Sequence, residues 1–158
     1  MFKSTLPLLR RSFSTTGNVH TYRVINGRPE GVFFKWVSEK SGREHNVDSP
    51  LEALLGALAA CEEITANFWA KKMGIDFRGL QFPRIEADLD TKSFVGDGVP
   101  AKFSEVRIEV HVKTSEGDEV VEELKKNVQE HCPVFNMIKQ SGVEIKSNWK
   151  KEEIENCS

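Results

Sequence analysis

Three cysteines, Cys61, Cys132 and Cys157, are the residues of this 158-residue chain whose type and setting could do chemistry. They form no CxxC pair and no secreted-type disulfide framework. In a reducing compartment a free cysteine is an inert core residue, a metal ligand or a reactive thiol. Cys132 directly precedes Pro133, at the end of an apolar-periodic run from Glu116 to His131. Proline cannot continue that helix but suits the first turn of a new one, which makes Cys132 an expected N-cap. A thiolate there faces unsatisfied backbone N–H groups and the positive end of the helix dipole, which lower a cysteine pKa from ~8.5 into the range ~4–7. The structural reading of the same residue is a cap, a job that serine or aspartate does better. Cys61 follows Ala59 and Ala60 midway along an apolar stripe. It reads either as a small core hydrophobe or as a thiol whose small neighbours let a substrate or another element approach. Cys157 lies in a charged tail and is expected to be exposed and incidental.

The elements that must position these thiols are legible in outline. Ser49-Pro50-Leu51-Glu52 announces a helix, with serine as N-cap, proline at the first helical position and glutamate completing a capping box. Leu54, Leu58, Cys61, Thr65 and Phe68 follow at spacings of three and four, widened by Leu51, Leu55 and Trp69, and Gly74 ends the helix. Ahead of it, His20 to Ile25 and Val32 to Val37 read as strands joined by a turn at Asn26-Gly27-Arg28, and Glu44 to Val47 as a third short strand. Behind it, Leu80 to Leu89 alternates as a strand, with Pro83 marking an edge or a bulge. After a Gly-rich loop over Thr91 to Pro100, Phe103 to Val112 sets Phe103, Val106, Ile108, Val110 and Val112 against Glu105, Arg107, Glu109 and His111. The helix Glu116–His131, a short helix from Pro133 through Ile138, and a strand from Val143 to Trp149 complete an α+β domain.

Composition removes several function classes. A net charge of −2 gives no reason to expect nucleic acid as a partner. No window approaches the ~20 apolar residues of a membrane span. Charge is unevenly distributed: Lys3, Arg10, Arg11, Arg23 and Arg28 all precede the first acidic residue, Glu30. Phe2, Leu6, Leu9 and Phe13 recur at helical spacing among serines and threonines, the composition of a mitochondrial transit peptide. Residues 1–13 are therefore expected to be a leader to the mitochondrial matrix, and 14–158 a single domain with its core over 20–149. A disordered basic tail has the same composition.

The stretch from Ser49 to Cys61 resembles the central-helix signature of the OsmC/Ohr family, the osmotically inducible and organic hydroperoxide resistance proteins. Glu130-His131-Cys132-Pro133-Val134-Phe135 resembles the family's second signature, and the likeness to its broad OsmC-like branch runs from about His20 to Trp149. The resemblance implies an OsmC-like fold, curved antiparallel sheets around a long central helix in an intertwined homodimer. It implies a thiol-dependent peroxidase acting on organic hydroperoxides, with Cys61 as peroxidatic and Cys132 as resolving cysteine. It further implies no cofactor or metal, and a dithiol reductant for which lipoylated proteins are attractive. Arg28 resembles the family's thiolate-stabilising arginine, and Glu52 the carboxylate that orients it. Arg28 is equally a solvated turn residue, and Glu52 equally the capping partner of Ser49. Leu51, directly after the proline, and the Glu62-Glu63 pair depart from the family pattern. An unpaired carboxylate at Glu62 would oppose a thiolate at Cys61.

Two other function classes fit the same residues. One is a non-enzymatic OsmC-like dimer that binds an apolar ligand or senses oxidation. The other is a metal site built from Cys61, Cys132 and His131 or His111, against which stands the lack of close ligand pairs. No nucleophile-elbow pattern supports a serine hydrolase.

Overall fold

The computed structural model describes residues 19–30, 33–38, 50–90, 92–93, 96 and 100–152. They form five strands and three helices: β1 (Val19–Glu30), β2 (Phe33–Ser38), α1 (Pro50–Met73), β3 (Leu80–Asp90), β4 (Phe103–Lys113), α2 (Asp118–His131), α3 (Pro133–Gln140) and β5 (Glu144–Glu152). The leader, the strand expected over Glu44–Val47, the cap Ser49 and Cys157 all lie outside the described residues.

The strands make one sheet in the order β2-β1-β3-β4-β5. All neighbours are antiparallel except β4 and β5, which run parallel. Parallel neighbours need a crossover, and α2 and α3 supply it. α1 lies against β1, β2, β3, α2 and α3, so the long helix is central to the fold.

Two irregularities in the sheet have readable causes. Pro83 cannot donate to a ladder, yet β3 is an interior strand. The pairing with β4 shifts between Gln81 and Arg84, so the proline sits at a bulge. The bulge also changes the side-chain parity, with Leu80 and Phe82 buried before it and Ile85, Ala87 and Leu89 after it. The turn expected at Asn26-Gly27-Arg28 is not formed. β1 runs through these residues to Glu30, Gly27 pairs with Phe82, Arg28 pairs with Lys35, and the register shifts between Ile25 and Arg28. Strands on both sides hold the Asn-Gly dipeptide as an irregularity within β1, and the reversal lies between Glu30 and Phe33.

The outer face of the sheet is tied by charge. Arg107 of β4 bonds Asp88 at 2.6 Å, Glu105 at 2.5 Å and Glu86 at 3.2 Å, and Arg23 of β1 also pairs with Glu86. Arg23, Glu86 and Arg107 are directly opposed across three strands, so the network reinforces the register that the buried face requires.

On α1 the buried face differs from the expected stripe. Leu55, Leu58, Ala59, Glu62, Ala66 and Ala70 are buried, whereas Leu54, Ile64 and Phe68 are 39%, 57% and 63% exposed. The buried face is rotated by roughly a third of a turn from the stripe through Cys61. Its alanines let the helix backbone come close to the sheet, and two glutamates are carried inward with them. Glu63 has a structural role there. Its carboxylate accepts the Leu80 backbone N–H at 2.7 Å and the Asn67 side-chain amide at 2.8 Å, fixing the start of β3 to α1. Burial raises the pKa of Glu63, and those two hydrogen bonds oppose the shift.

Candidate active site

Cys132 stands at the break between α2 and α3. Its N–H still donates to Val128 O at 2.8 Å, as the last bond of α2, and its carbonyl accepts from Asn136 N at 3.0 Å, the first of α3. Pro133 occupies the first turn of α3, as the sequence suggests. Such a break leaves carbonyls at the end of α2 without helical partners. The Asn136 side-chain amide supplies two of them, donating to Gln129 O at 3.1 Å and Glu130 O at 3.0 Å, and shares a hydrogen with Cys132 O at 2.9 Å. Asn136 was not apparent as a site residue; its signal is an amide one helical turn after the cysteine of a proline break. Asn136→Ala is expected to destabilise the chain by about 1–3 kcal/mol, read as a lower urea midpoint, by removing the side-chain donor to the Gln129 and Glu130 carbonyls, while Cys132 O keeps the backbone N–H of residue 136.

Cys61 and Cys132 are free thiols, the first half-buried and the second buried. The fold brings them together: the Cys132 sulfur has the Cys61 thiol as a neighbour and lies in the field of Glu62. Cys61 is held on the continuous ladder of α1, where its carbonyl accepts the Thr65 hydroxyl at 2.8 Å. Beside the pair, the Trp69 and His131 rings meet at 4.5 Å between centroids, joining α1 to the end of α2. His131 Nδ1 donates to Asn127 O at 2.8 Å, which fixes that nitrogen as the protonated one.

The electrostatics of Cys132 reverse the expectation for an N-cap thiol. Burial pushes its pKa up from 9.0 to about 12, with Cys61 and Glu62 adding to the rise and the Phe135 backbone N–H pulling against it. The cap position is fully enclosed, and the dipole of an eight-residue helix does not offset the loss of water. Cys132 is thus a thiol held protonated, not an activated thiolate.

Glu62 is the second surprise. It is completely buried, and among the described residues neither carboxylate oxygen has a hydrogen-bond partner. Burial raises its pKa from 4.5 to about 8, so at neutral pH it is mainly the uncharged acid. In that form it sets no negative charge beside Cys61, which removes the objection raised by the sequence.

The remaining sequence candidates are placed less completely. Glu52 is buried in the first turn of α1. Arg28 lies in β1 opposite Lys35, and its side chain is outside the described residues. Among the described residues no three His, Cys, Asp or Glu side chains converge on a point where a metal ion could be held. No described helix is long and apolar enough to cross a membrane.

The architecture is similar to that of known proteins. An OsmC-like protein from Mycoplasma pneumoniae superposes with a TM-score of 0.59 at 20% identity, covering 88% of this chain and 99% of that one. An organic hydroperoxide resistance protein from Elizabethkingia anophelis gives 0.56 at 14% identity, covering 89% and 99%. An organic hydroperoxide resistance protein OsmC from Legionella pneumophila, also described as a predicted redox protein, gives 0.55 at 16% identity, covering 85% and 96%. At these identities the likeness is one of fold. No curated protein matches the chain. Residues 45–148, which hold Cys61, Cys132 and the chain from α1 through the first half of β5, match the family described as OsmC-like protein. The chain belongs to the OsmC-like protein family.

Proposed function

We propose that the chain is a thiol-dependent peroxidase that reduces organic hydroperoxides, with Cys61 as the peroxidatic and Cys132 as the resolving cysteine. The observation that carries this reading is the pairing of a half-buried thiol on α1 with a buried, protonated thiol beside it. A peroxidatic sulfur must meet substrate, whereas a resolving sulfur needs only to meet the first. Cys61 thiolate attacks the O–O bond, an alcohol leaves, and Cys61 becomes a sulfenic acid. Cys132 condenses with it to a disulfide and water, and an external dithiol restores both thiols. Similar folds described as organic hydroperoxide resistance proteins support the substrate class. Arg28 is proposed to stabilise the thiolate and Glu52 to orient that arginine.

The working form is proposed to be a homodimer. Leu54, Ala57, Cys61, Ile64 and Phe68 form a continuous stripe on α1, and Leu54, Ile64 and Phe68 are exposed in the single chain. A partner helix laid on that stripe would place Cys61 at the interface. The basic, Ser-rich start supports import to the mitochondrial matrix, where lipoylated proteins are the proposed reductants.

An apolar cleft of about 310 Å³, lined by residues including Leu51, Leu54, Leu89, Phe103 and Ile138, favours a second reading, a dimer that binds an apolar ligand without turnover. Consumption of cumene hydroperoxide with dihydrolipoamide as reductant separates the two. Turnover that Cys61→Ser abolishes and that glutathione supports poorly is the expected result. Equal rates for wild type and Cys61→Ser would leave ligand binding as the function.

A further inference from the structure

The mechanism above leaves one buried ionisable group without a task. Glu62 follows Cys61 on α1, is completely buried, and among the described residues neither of its carboxylate oxygens has a hydrogen-bond partner. Its buried neighbour Glu63 shows the ordinary arrangement, bonded to the Leu80 N–H and the Asn67 amide. An unpartnered buried carboxyl costs stability, and a leucine or methionine would fill the same space without that cost. The group it can serve is Cys132, which is fully buried and has both Cys61 and Glu62 as electrostatic neighbours, where α1 packs on α2 and α3. Cys132 is fully enclosed, so a neighbouring buried side chain is better placed than bulk solvent to take its proton.

We propose that Glu62 is the proton-transfer residue of the Cys61–Cys132 couple, taking the Cys132 proton as the disulfide forms. This rests on the proposed peroxidase cycle for its natural oxidant, although disulfide formation by any oxidant needs the same transfer. In the resolving step the Cys132 sulfur bonds to the Cys61 sulfur of the sulfenic acid, and the S–O bond breaks. Glu62 gives its proton to the departing hydroxyl, which leaves as water, and accepts the Cys132 proton in exchange. The sum is sulfenic acid plus thiol giving disulfide plus water, with Glu62 unchanged. The two electrons that reduced the hydroperoxide come from the sulfurs. A carboxyl that is neutral near pH 7 suits this exchange, since it can both give and receive a proton at little cost. When a dithiol later opens the disulfide, Glu62 returns a proton to Cys132 by the reverse path.

The test uses the full chain as wild type, Glu62→Gln and Glu62→Asp, the last retaining an acid. Reduced protein is mixed with one equivalent of cumene hydroperoxide; sulfenic acid is trapped with dimedone, and disulfide is followed by loss of free thiol. Glu62→Gln is expected to form sulfenic acid at the wild-type rate and disulfide at least ~10²-fold more slowly, with Glu62→Asp in between. A parallel oxidation with diamide, which needs no peroxidase activity, should show the same order. Infrared difference spectra of oxidised minus reduced protein should contain a carboxylic C=O band that Glu62→Gln lacks. Disulfide formation in Glu62→Gln within twofold of wild type, under both oxidants, would overturn the proposal. A wild type that forms no sulfenic acid from cumene hydroperoxide defeats the peroxidase reading instead, and the diamide rates then decide the role of Glu62.

Discussion

Wild-type protein is expected to unfold at lower urea as the pH is raised from 5 toward 8, and Glu62→Gln to remove most of that trend. The sign follows from where the proton is bound. The Glu62 carboxyl has a pKa of about 8 when buried and of 4.5 when free of the fold. Between those values the folded chain keeps a proton that the unfolded chain has lost, so raising the pH favours unfolding. The stability is fully present below pH 4.5 and is lost as the pH climbs through 8. At 1.36 kcal/mol for each pKa unit the loss is on the order of 3 kcal/mol, allowing for water entering around the ionised group. Glu63, also raised by burial, adds a smaller contribution of the same sign. Three lowered carboxyls act outside the window. Asp76, Glu105 and Glu109 have lowered pKa values, so what they contribute is present above their ordinary range and lost only in stronger acid. Cys132, raised to about 12, costs stability only as the pH passes 9.0. Urea midpoints at half-unit steps of pH check the prediction. A flat wild-type profile would mean that Glu62 acquires a cationic partner when the protein assembles.

The fold was largely readable because its elements obey local rules. β4 alternates strictly from Val106 to Val112, Pro133 breaks one helix and begins the next, and the Leu-Ala run after Pro50 propagates as α1. Asn26-Gly27 misled because a strong two-residue turn signal was overridden by strands on both sides, information that is not local. The buried face of α1 misled for a related reason. Leu54, Ile64 and Phe68 are as apolar as Leu55 and Leu58, and the helix is apolar on more than one side. Periodicity alone cannot choose among such faces, and here the sheet is met by the face carrying the alanines. For the site, sequence identified both cysteines through their settings but not their proximity, which depends on α1 packing against α2 and α3. It also assigned Cys132 the wrong direction of pKa shift, because a helix terminus is visible in a sequence and enclosure is not. Glu62 was legible as a residue and illegible as a buried acid.

Phe68→Glu is expected to convert a dimer into a monomer at micromolar concentration, while Phe68→Leu leaves it dimeric. Phe68 is 63% exposed in the single chain and contributes little to its core, so a charge there should not disturb folding. Its ring packs edge-on against Trp69 with centroids 6.1 Å apart. Full burial of such a side chain is worth about 1.5–3 kcal/mol, and a two-fold dimer would count each residue twice. Glutamate forfeits that burial and brings a carboxylate from each chain into the proposed interface. A loss of about 2 kcal/mol per chain weakens association by roughly 10³-fold at 1.4 kcal/mol for each factor of ten. Sedimentation velocity at several concentrations measures it. Turnover tests the link to function: Cys61 lies on the same stripe as Phe68, so substrate bound at an interface would be lost with the partner chain. A monomeric Phe68→Glu protein with reduced turnover and an unchanged Cys61–Cys132 disulfide after diamide would place peroxide binding between chains and resolution within one. A monomer that keeps full turnover would move the whole site into a single chain and leave the exposed apolar stripe with a separate role.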